Sequence, residues 1–201
     1  MGREYYHDAI TDRSWRALQQ LRSEHRFILI GGWAAWVYTQ GPKSRDIDII
    51  LDYSDLAGLR IRHDVRRNDR LRKYEIKCDG FDIDIYVPHY STTLAVPPDR
   101  VQAVAQARLG FLVPPPELLL ALKLGAWSQR KGSPKGQKDL ADIAGLLTIA
   151  NPARLGPALA AAGIPAEQAT ALLRTLDEAQ AALPKGYAAR RRIRSEKPRY
   201  P

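Results

Sequence analysis

The stretch FILIGGWAAWVYTQGPKSRDIDIIL, residues 27–51, contains the features that decide the fold. Phe27–Ile30 is a short apolar run that is typical of a buried strand, and Gly31–Gly32 ends it. Trp33–Tyr38 has apolar residues on several sides and is predicted to be a helix. After a polar turn, Arg45–Leu51 alternates charged and aliphatic side chains, which predicts a strand whose two faces differ.

The second strand carries two carboxylates on one face. Residues two apart in a strand point the same way, so Asp46 and Asp48 project to one side. Two like charges this close repel each other unless a cation lies between them. Hard oxygen ligands of this kind suit magnesium or manganese, so the pair predicts a site for Mg²⁺ or Mn²⁺.

Gly31 and Gly32 lie where the first strand turns into the helix. Free backbone N–H groups at a helix N-terminus, with no side chain in the way, bind phosphate. A phosphate site followed by a metal-binding strand predicts phosphoryl or nucleotidyl transfer from a metal-bound nucleoside triphosphate (NTP).

A third carboxylate lies on FDIDIYV, residues 81–87, another alternating strand. The Asp79–Gly80 turn before it predicts a hairpin. Asp82 and Asp84 share one face of this strand. Asp84 is favoured as the third site carboxylate because aliphatic residues flank it and it is farther from the turn, and Asp82 is the alternative.

These three elements, in this order, resemble the nucleotidyltransferase superfamily that shares the DNA polymerase β catalytic core. The matching residues are Ile30-Gly31-Gly32, Asp46-Ile47-Asp48, and Asp84 between two isoleucines, within residues 27–87. The resemblance is closest to the small nucleotidyltransferases of the minimal and abortive-infection toxin type. It implies an α/β (α+β) fold, with a polymerase β-like core of a mixed sheet flanked by helices and an α-helical C-terminal part.

Those toxin-type members often read Arg-x-Thr-x-Asp-hydrophobic-Asp at the metal strand. In this chain Pro42 stands where Arg is usual, and Ser44 stands where Thr is usual. Lys43 or Arg45 would then take over the role of that Arg. On this resemblance, Ser44 and Arg45 belong to the nucleotide-binding residues.

Residues 114–147 resemble the same members, which have a Pro-rich entry, a Leu-rich helix with a Lys, and Lys-Asp-x-x-Asp at the next helix. The resemblance implies that Lys123 and Lys138 contact the triphosphate, while Asp139 and Asp142 orient these lysines or the acceptor. Taken alone, Lys-Asp at a predicted helix start is ordinary capping chemistry, because carboxylates favour the positive end of a helix. Both interpretations stay open at this point.

Three parts are expected along the chain: a catalytic core at 1–113, a helical region at 114–184 and a basic tail at 185–201. A Pro-rich run, Pro114–Pro116, marks the first boundary.

Two further helices and a loop are also expected. A packing helix should begin at Thr11 or Asp12 and end near Ser23, and a second should run from Pro98 or Asp99 through Ala107. Residues 131–136 should be a mobile basic loop before a helix that opens at Lys138.

Positive charge is unevenly spread over the chain, whose formal net charge is +9. Residues 185–201 carry seven basic residues and one acidic residue. This segment is either a solvated tail or an arm that binds an RNA or DNA backbone. Arg60–Lys73 is similarly dense in charge. It is either an exposed, solvated connection or a basic rim that attracts a triphosphate or a nucleic-acid acceptor.

The composition favours a cytoplasmic protein with no membrane contact. Cys78 is the one cysteine, which excludes an internal disulfide and fits a reducing compartment. No apolar run approaches the length of a membrane span, and the first residues do not resemble a signal peptide.

Together these features predict a metal-dependent nucleotidyltransferase that moves a nucleoside monophosphate from an NTP to an acceptor hydroxyl and releases pyrophosphate. Asp46, Asp48 and Asp84 would be its catalytic and metal-binding residues. RNA, such as a tRNA 3′ end, is the first acceptor, with protein hydroxyls and small molecules open. The alternatives are a non-catalytic nucleotide- or RNA-binding module and a toxin–antitoxin subunit whose helical part contacts a partner protein.

Overall fold

A computed structural model describes residues 2–184, with side chains from Asp8 onward, and the predicted basic tail lies outside these residues. Within them, seven strands form one mixed sheet in the order β3-β4-β5-β2-β1-β7-β6. The strands are β1 Ile28–Ile30, β2 Ile47–Ile50, β3 Arg66–Asn68, β4 Lys73–Lys77, β5 Asp82–Tyr86, β6 Gln106–Arg108 and β7 Phe111–Val113. The helices are α1 Gly2–Glu24, α2 Gly31–Thr39, α3 Tyr53–Arg62, α4 Pro98–Gln102, α5 Pro116–Arg130, α6 Pro134–Leu146, α7 Leu155–Ala161 and α8 Ala166–Ala182. The predicted fold class, an α/β chain with a mixed sheet flanked by helices, is confirmed.

Strand β2 lies near the middle of the sheet. It pairs antiparallel with β1 and parallel with β5, while β5 pairs antiparallel with β4 as the predicted hairpin. Ile47, Ile49 and Ile50 are fully buried, whereas Asp48 between them keeps part of its surface exposed. The alternating sequence therefore gives β2 one apolar face and one polar face.

Helix α1 begins earlier than the sequence predicts. Thr11 was expected near the helix start, but its Oγ1 donates to the carbonyl of Asp8 at 3.0 Å, one turn back inside the helix. The indole Nε1 of Trp33 donates to Ser14 Oγ at 3.0 Å, and Trp15 packs on Trp33 and Trp36. This aromatic cluster fixes α1 against α2.

The helix expected to extend through Ala107 is wrong in its second half. Helix α4 ends at Gln102, and residues 106–108 form the edge strand β6, paired antiparallel with β7. Leu109 and Gly110, at φ 47° and 77°, form the two-residue turn between these strands. All three β6 residues are exposed, so no apolar alternation marked this strand in the sequence.

Helix α6 also begins earlier than expected, at Pro134 rather than at Lys138. Ser133 is its N-cap, because its Oγ accepts from the backbone N–H of Gly136 at 3.0 Å. The expected loop at 131–136 is therefore limited to residues 131–133. This shift places Asp139 and Asp142 within the helix rather than at its start.

The helices after Pro114 pack on helix α2 and on one another. Helix α2 contacts both α5 and α6, and α5 contacts α6 and α8. Strand β7, the last strand in the described part of the chain, ends at Val113, and the division expected at Pro114 stays a prediction. In residues 2–184, no helix combines the length and the apolar character that crossing a membrane requires.

Candidate functional site

A row of carboxylates crosses three neighbouring strands. Glu75 on β4 is the register partner of Asp84 on β5, and Asp84 is the register partner of Asp48 on β2. Directly opposite residues share a face of the sheet, so all three carboxylates lie on the same side. Like charges in this arrangement repel, and the row requires cations around it.

Asp46 and Asp82 lie next to this row, each two residues before one of its members, Asp48 and Asp84. Asp46 Oδ1 accepts from the backbone N–H of Asp82 at 3.3 Å and from Arg45 Nε at 3.1 Å. The carboxylate of Asp82 is bound to Lys77 Nζ at 2.8 Å. Of the two candidates for the third carboxylate, Asp84 is therefore the one beside Asp48, and Asp82 faces Lys77.

The row carries unusual protonation equilibria. Burial, with the negative charge of Asp46, raises the pKa of Asp48, although Lys123 opposes the shift. Burial and the charge of Asp48 raise the pKa of Asp84 to about 6, against the opposing effect of Lys73. Burial also acts to raise the pKa of Asp46, but the hydrogen bond and charge of Arg45, the charge of Lys135 and the backbone N–H of Asp82 together outweigh it and leave that pKa below its ordinary value.

Gly31 and Gly32 allow these side chains to approach the start of α2. Gly31 has a φ of +67°, and a Cβ there would lie 2.0 Å from Asp48 Oδ2. A Cβ on Gly32 would lie 2.5 Å from Ser44 Oγ and 2.7 Å from Lys138 Nζ. The glycines therefore make room for the protein's own charged groups at the N-terminus of α2, where no side chain caps the helix.

Ser44 and Arg45 contact Asp46 from the loop that precedes β2. Ser44 is buried, and its Oγ donates to the backbone carbonyl of Asp46 at 3.0 Å. Arg45 is exposed and paired with the Asp46 carboxylate at 3.1 Å. Both residues lie at the site, and in this structure their contacts are to Asp46.

A buried ion cluster joins α5 to α6 beside the carboxylate row. Lys123 Nζ lies 2.8 Å from Asp142 and 3.2 Å from Asp139, and all three side chains are no more than 8% exposed. Arg130 Nε binds the second oxygen of Asp139 at 2.6 Å, and Lys138 Nζ lies 3.2 Å from Asp142. The capping interpretation of the two aspartates is therefore wrong, because both are buried partners of Lys123.

The charges of this cluster stabilise each other. Burial lowers the pKa of Lys123, but Asp142 and Asp139 outweigh it and hold that pKa above its ordinary value. Burial raises the pKa of Asp139, and hydrogen bonding from Arg130 with the charge of Lys123 outweighs it, so this pKa is lowered. Both shifts favour the ionised forms of Lys123 and Asp139.

Lys73 is the site residue that sequence reasoning missed. It was counted in the charged connection Arg60–Lys73, yet its side chain is only 11% exposed. Its Nζ lies 2.6 Å from Asp84 Oδ2 and 2.9 Å from Glu75 Oε1. The signal was present as the alternation Lys73-Glu75-Lys77, which has the same period as its hairpin partner Asp82-Asp84-Tyr86.

Part of the carboxylate row and part of the ion cluster line one cavity of about 920 Å³, a size typical of ligand sites: Asp48, Asp84, Lys123, Arg130, Lys138 and Asp139, together with Asp46. The two glycines and the exposed side chains of Lys43 and Lys135 also line it. Lys135 Nζ lies 3.6 Å from Asp46 Oδ2 at the edge of the cavity. The cavity thus brings together all nine site residues predicted from the sequence.

The donor chemistry of this cavity fits a hard divalent cation. Asp46, Asp48 and Asp84 offer carboxylate oxygens only, and Asp84 Oδ1 is buried without a hydrogen-bond partner among the described residues. Within residues 8–184, no three acidic, histidine or cysteine side chains already converge as a metal cluster. Arg45 and Lys73 hold two of the three carboxylates, Asp46 and Asp84, in ion pairs.

Comparison with known proteins gives structural similarity only. No family model matches the sequence, and the search of curated proteins gives no match. An antigenic nucleotidyltransferase-like protein from Paracoccidioides brasiliensis is 18% identical, with a TM-score of 0.40, over 84% of this chain and 93% of that one. JHP933 from Helicobacter pylori is 13% identical, with a TM-score of 0.39, over 96% and 99% of the two chains. At these values the function has to be argued from the site itself.

Proposed function

We propose that this protein is a nucleotidyltransferase that transfers a nucleoside monophosphate from an NTP to an acceptor hydroxyl. The observation that carries the proposal is the convergence of Asp48 and Asp84 with an uncapped helix N-terminus in one cavity. Catalysis of this reaction consists mainly of positioning and charge neutralisation, which such a site can supply.

The start of α2 is the proposed phosphate site. The first backbone N–H groups of a helix carry partial positive charge, and Lys138 Nζ lies close to Gly32 at the same place. The Asp48 carboxylate lies beside Gly31, so one protein anion faces these two positive features. A triphosphate there would accept hydrogen bonds from the N–H groups of Gly31 and Gly32 and pair with Lys138.

Lys123 contributes from the other wall of the cavity. It carries its charge while buried, because Asp139 and Asp142 hold it. We expect it to be a fixed positive charge facing the phosphates, with the two aspartates positioning it. Arg130 fixes Asp139 in turn.

Asp46 and Asp48 would hold Mg²⁺ or Mn²⁺. When bound, a divalent ion neutralises the phosphate charge and favours attack at phosphorus. Binding requires Arg45 and Lys135 to release Asp46, and both are partly exposed side chains that can move. The high pKa values of Asp48 and Asp84 are those expected of carboxylates arranged to receive positive charge.

Asp84 is the proposed proton acceptor. Its Oδ1 has no hydrogen-bond partner in the part of the chain that the structure describes, while Oδ2 is held by Lys73. The acceptor hydroxyl would lose its proton to Oδ1 as its oxygen bonds to the α-phosphorus. The bond from the α-phosphorus to the bridging oxygen breaks, and pyrophosphate leaves.

RNA is the proposed acceptor. Lys43, Arg45 and Lys135 lie around the cavity and carry exposed positive charge, which suits a polyanionic substrate. A protein hydroxyl or a small molecule would give a different labelled product. A toxin-type role with a partner protein on the helical part stays a prediction.

A non-catalytic nucleotide-binding module is the second candidate. The observation that favours it is the ion pair between Lys73 and Asp84, because a carboxylate already neutralised by lysine is a poorer base. This module would bind NTP without turnover.

The test is incubation of the full chain with each α-³²P-labelled NTP, Mg²⁺ or Mn²⁺, and total tRNA, followed by denaturing electrophoresis. Asp48→Asn is the variant expected to be inactive. Asp82→Asn is the matched control, because it also removes one carboxylate charge, but from a side chain that is paired with Lys77. Label on RNA that Asp48→Asn abolishes and Asp82→Asn retains supports the proposal.

Each other outcome is informative. Label on the protein itself, or on an added small-molecule hydroxyl, replaces the acceptor and keeps the reaction. Metal-dependent NTP binding without label on any acceptor supports the binding module. Label that survives in Asp48→Asn contradicts the assignment of the site.

A further inference from the structure

Lys73 is held in the carboxylate row more tightly than a surface lysine would be. Its Nζ lies within 3 Å of both Asp84 Oδ2 and Glu75 Oε1, and the two carboxylates are 16% and 12% exposed. Lys77, four residues further along the same face of β4, is 52% exposed and lies 3.4 Å from Glu75. Only Lys73 of these two contacts Asp84 and lines the cavity.

Charge balance explains why a cation is needed at this position. Glu75, Asp84 and Asp48 are consecutive register partners across three strands, so three like charges lie in one row. The positive charge of Lys123 acts on Asp48 at one end of the row. Lys73 lies between Asp84, in the middle of the row, and Glu75 at the other end. Lys73 therefore neutralises the part of the row that is farther from the buried cluster.

Resting on the proposed function, we propose that the Lys73 ammonium takes the place of a second divalent cation. Two-metal sites hold their ions about 3.5–4 Å apart and bridge them with shared carboxylates. Here the site binds one divalent ion at Asp46 and Asp48, and Lys73 supplies a fixed positive charge at Asp84. A lysine is a compact point charge on a flexible stem, and two short ion pairs hold this one in place.

The proposal also gives Glu75 a role. Glu75 accepts from Asn68 Nδ2 at 3.0 Å in addition to pairing with Lys73. It therefore positions the ammonium rather than contacting substrate. A carboxylate next to Asp84 would otherwise only add repulsion to the row.

The test is the number of Mn²⁺ ions bound per chain, measured by electron paramagnetic resonance of free Mn²⁺ with a non-hydrolysable α,β-methylene NTP. The wild-type protein is expected to bind one Mn²⁺. Lys73→Met removes the charge at similar length, opens Asp84 and Glu75, and is expected to bind two. Lys77→Met, the matched control on the same face, is expected to bind one.

A second variant keeps the test valid if Lys73→Met is too unstable to fold. Lys73→Met/Glu75→Gln removes one positive and one negative charge, keeps Asp84 as a ligand, and is also expected to bind two Mn²⁺. Thermal melting with and without Mn²⁺ checks folding, and Mn²⁺ should raise Tm more in both Lys73 variants than in the wild type.

Three results would overturn the proposal. Two Mn²⁺ ions in the wild type would show that Lys73 does not replace a metal, and would leave the proposed nucleotidyl transfer intact. One Mn²⁺ in both folded Lys73 variants would mean that Asp84 is not a latent metal position. No Mn²⁺ in the wild type with NTP analogue would contradict the proposed function itself, and this inference with it.

Discussion

Asp48 and Asp84 are register partners on the parallel strands β2 and β5, so two carboxylates face the cavity side by side. Burial raises the pKa of both carboxyls, and the negative charge of Asp48 adds to the rise at Asp84. Such an arrangement destabilises the empty protein, and a bound cation relieves it. The cost of this repulsion is therefore measurable as a change in the free energy of unfolding without metal.

Replacing Asp48 by asparagine should separate stability from activity. Asp48→Asn removes a buried charge with a raised pKa, so we expect the free energy of unfolding to rise by about 1 kcal/mol without metal. Nucleotidyl transfer should fall about a thousandfold, which corresponds to losing about 4 kcal/mol of charge stabilisation. Urea unfolding in EDTA and label transfer measure the two effects.

Asp82→Asn is the control for that prediction. Its carboxylate is paired with Lys77 on the outer side, and its contact with Asp46 is made by the backbone N–H. Transfer should stay near the wild-type rate. A loss equal to that of Asp48→Asn would contradict the choice of Asp84 as the third carboxylate.

Lys123 should be required for folding stability through the buried ion cluster. Lys123→Met leaves Asp139 and Asp142 buried with Arg130 and Lys138 as their remaining partners. We expect a loss of about 3 kcal/mol, at the lower end of the cost of breaking a buried pair. Urea unfolding measures it.

A double-mutant cycle then tests the coupling of this cluster. Lys123→Met/Asp142→Asn should lose less than the sum of the two single variants, because the double variant leaves no unpaired charge at that contact. Lys43→Met is the exposed comparison, since its pair with Asp12 is equally short at 2.7 Å but solvated. Its stability should stay near the wild type. Additive losses in the buried cycle would contradict the coupling.

Local patterns predicted the strands of the site well. The alternation around Asp46, Asp48 and Asp84 depends on residues two apart, so it is visible without knowledge of the fold. The turn at Asp79–Gly80 joins the expected strands, and Gly80 has a φ of +88°. Both features involve only residues close together in the chain, so the sequence alone is enough to predict them.

The cations of the site were harder to predict because they depend on register and on where a helix begins. Lys73 meets Asp84 only once β4 is aligned with β5, and in the sequence it looked like part of a charged connection. For Asp139 and Asp142 the sequence left open both a capping role and a role in orienting the lysines or the acceptor, and the earlier helix start at Ser133 excludes capping. Their spacing with Ile143 and Leu146 follows one buried helix face, which was the available signal.

The pH dependence of stability should reveal the repulsion at Asp84. The pKa of this carboxyl rises from an ordinary 3.8 to about 6 in the folded protein. Protonation therefore favours the folded state, and the free energy of unfolding should fall as pH rises from about 4 to about 6. The full effect is on the order of 3 kcal/mol.

Asp84→Asn in EDTA tests that dependence. The variant should be similar to the wild type near pH 4 and more stable at pH 7, with the difference appearing between those values. Asp139 has the opposite sign, because its lowered pKa stabilises the fold above 3.8 and its contribution is lost only at lower pH. An identical pH profile for variant and wild type would refute the raised pKa.

Gly31 should tolerate no side chain, for two independent reasons. Its φ of +67° is unfavourable for residues with a Cβ, and a Cβ would lie 2.0 Å from Asp48 Oδ2. We expect Gly31→Ala to lose about 1–3 kcal/mol of unfolding free energy and to weaken Mn²⁺ binding by displacing Asp48.

The matched comparison is Gly58→Ala, within α3, where a Cβ would meet nothing within 4 Å. Alanine is the better helix former, so this change should raise the unfolding free energy by about 0.5–1 kcal/mol and leave Mn²⁺ binding unchanged. Urea unfolding and Mn²⁺ titration of both variants separate strain at the site from a general effect of removing glycine. If Gly31→Ala kept wild-type Mn²⁺ affinity, the close approach of Asp48 to the start of α2 would not matter for the cation site.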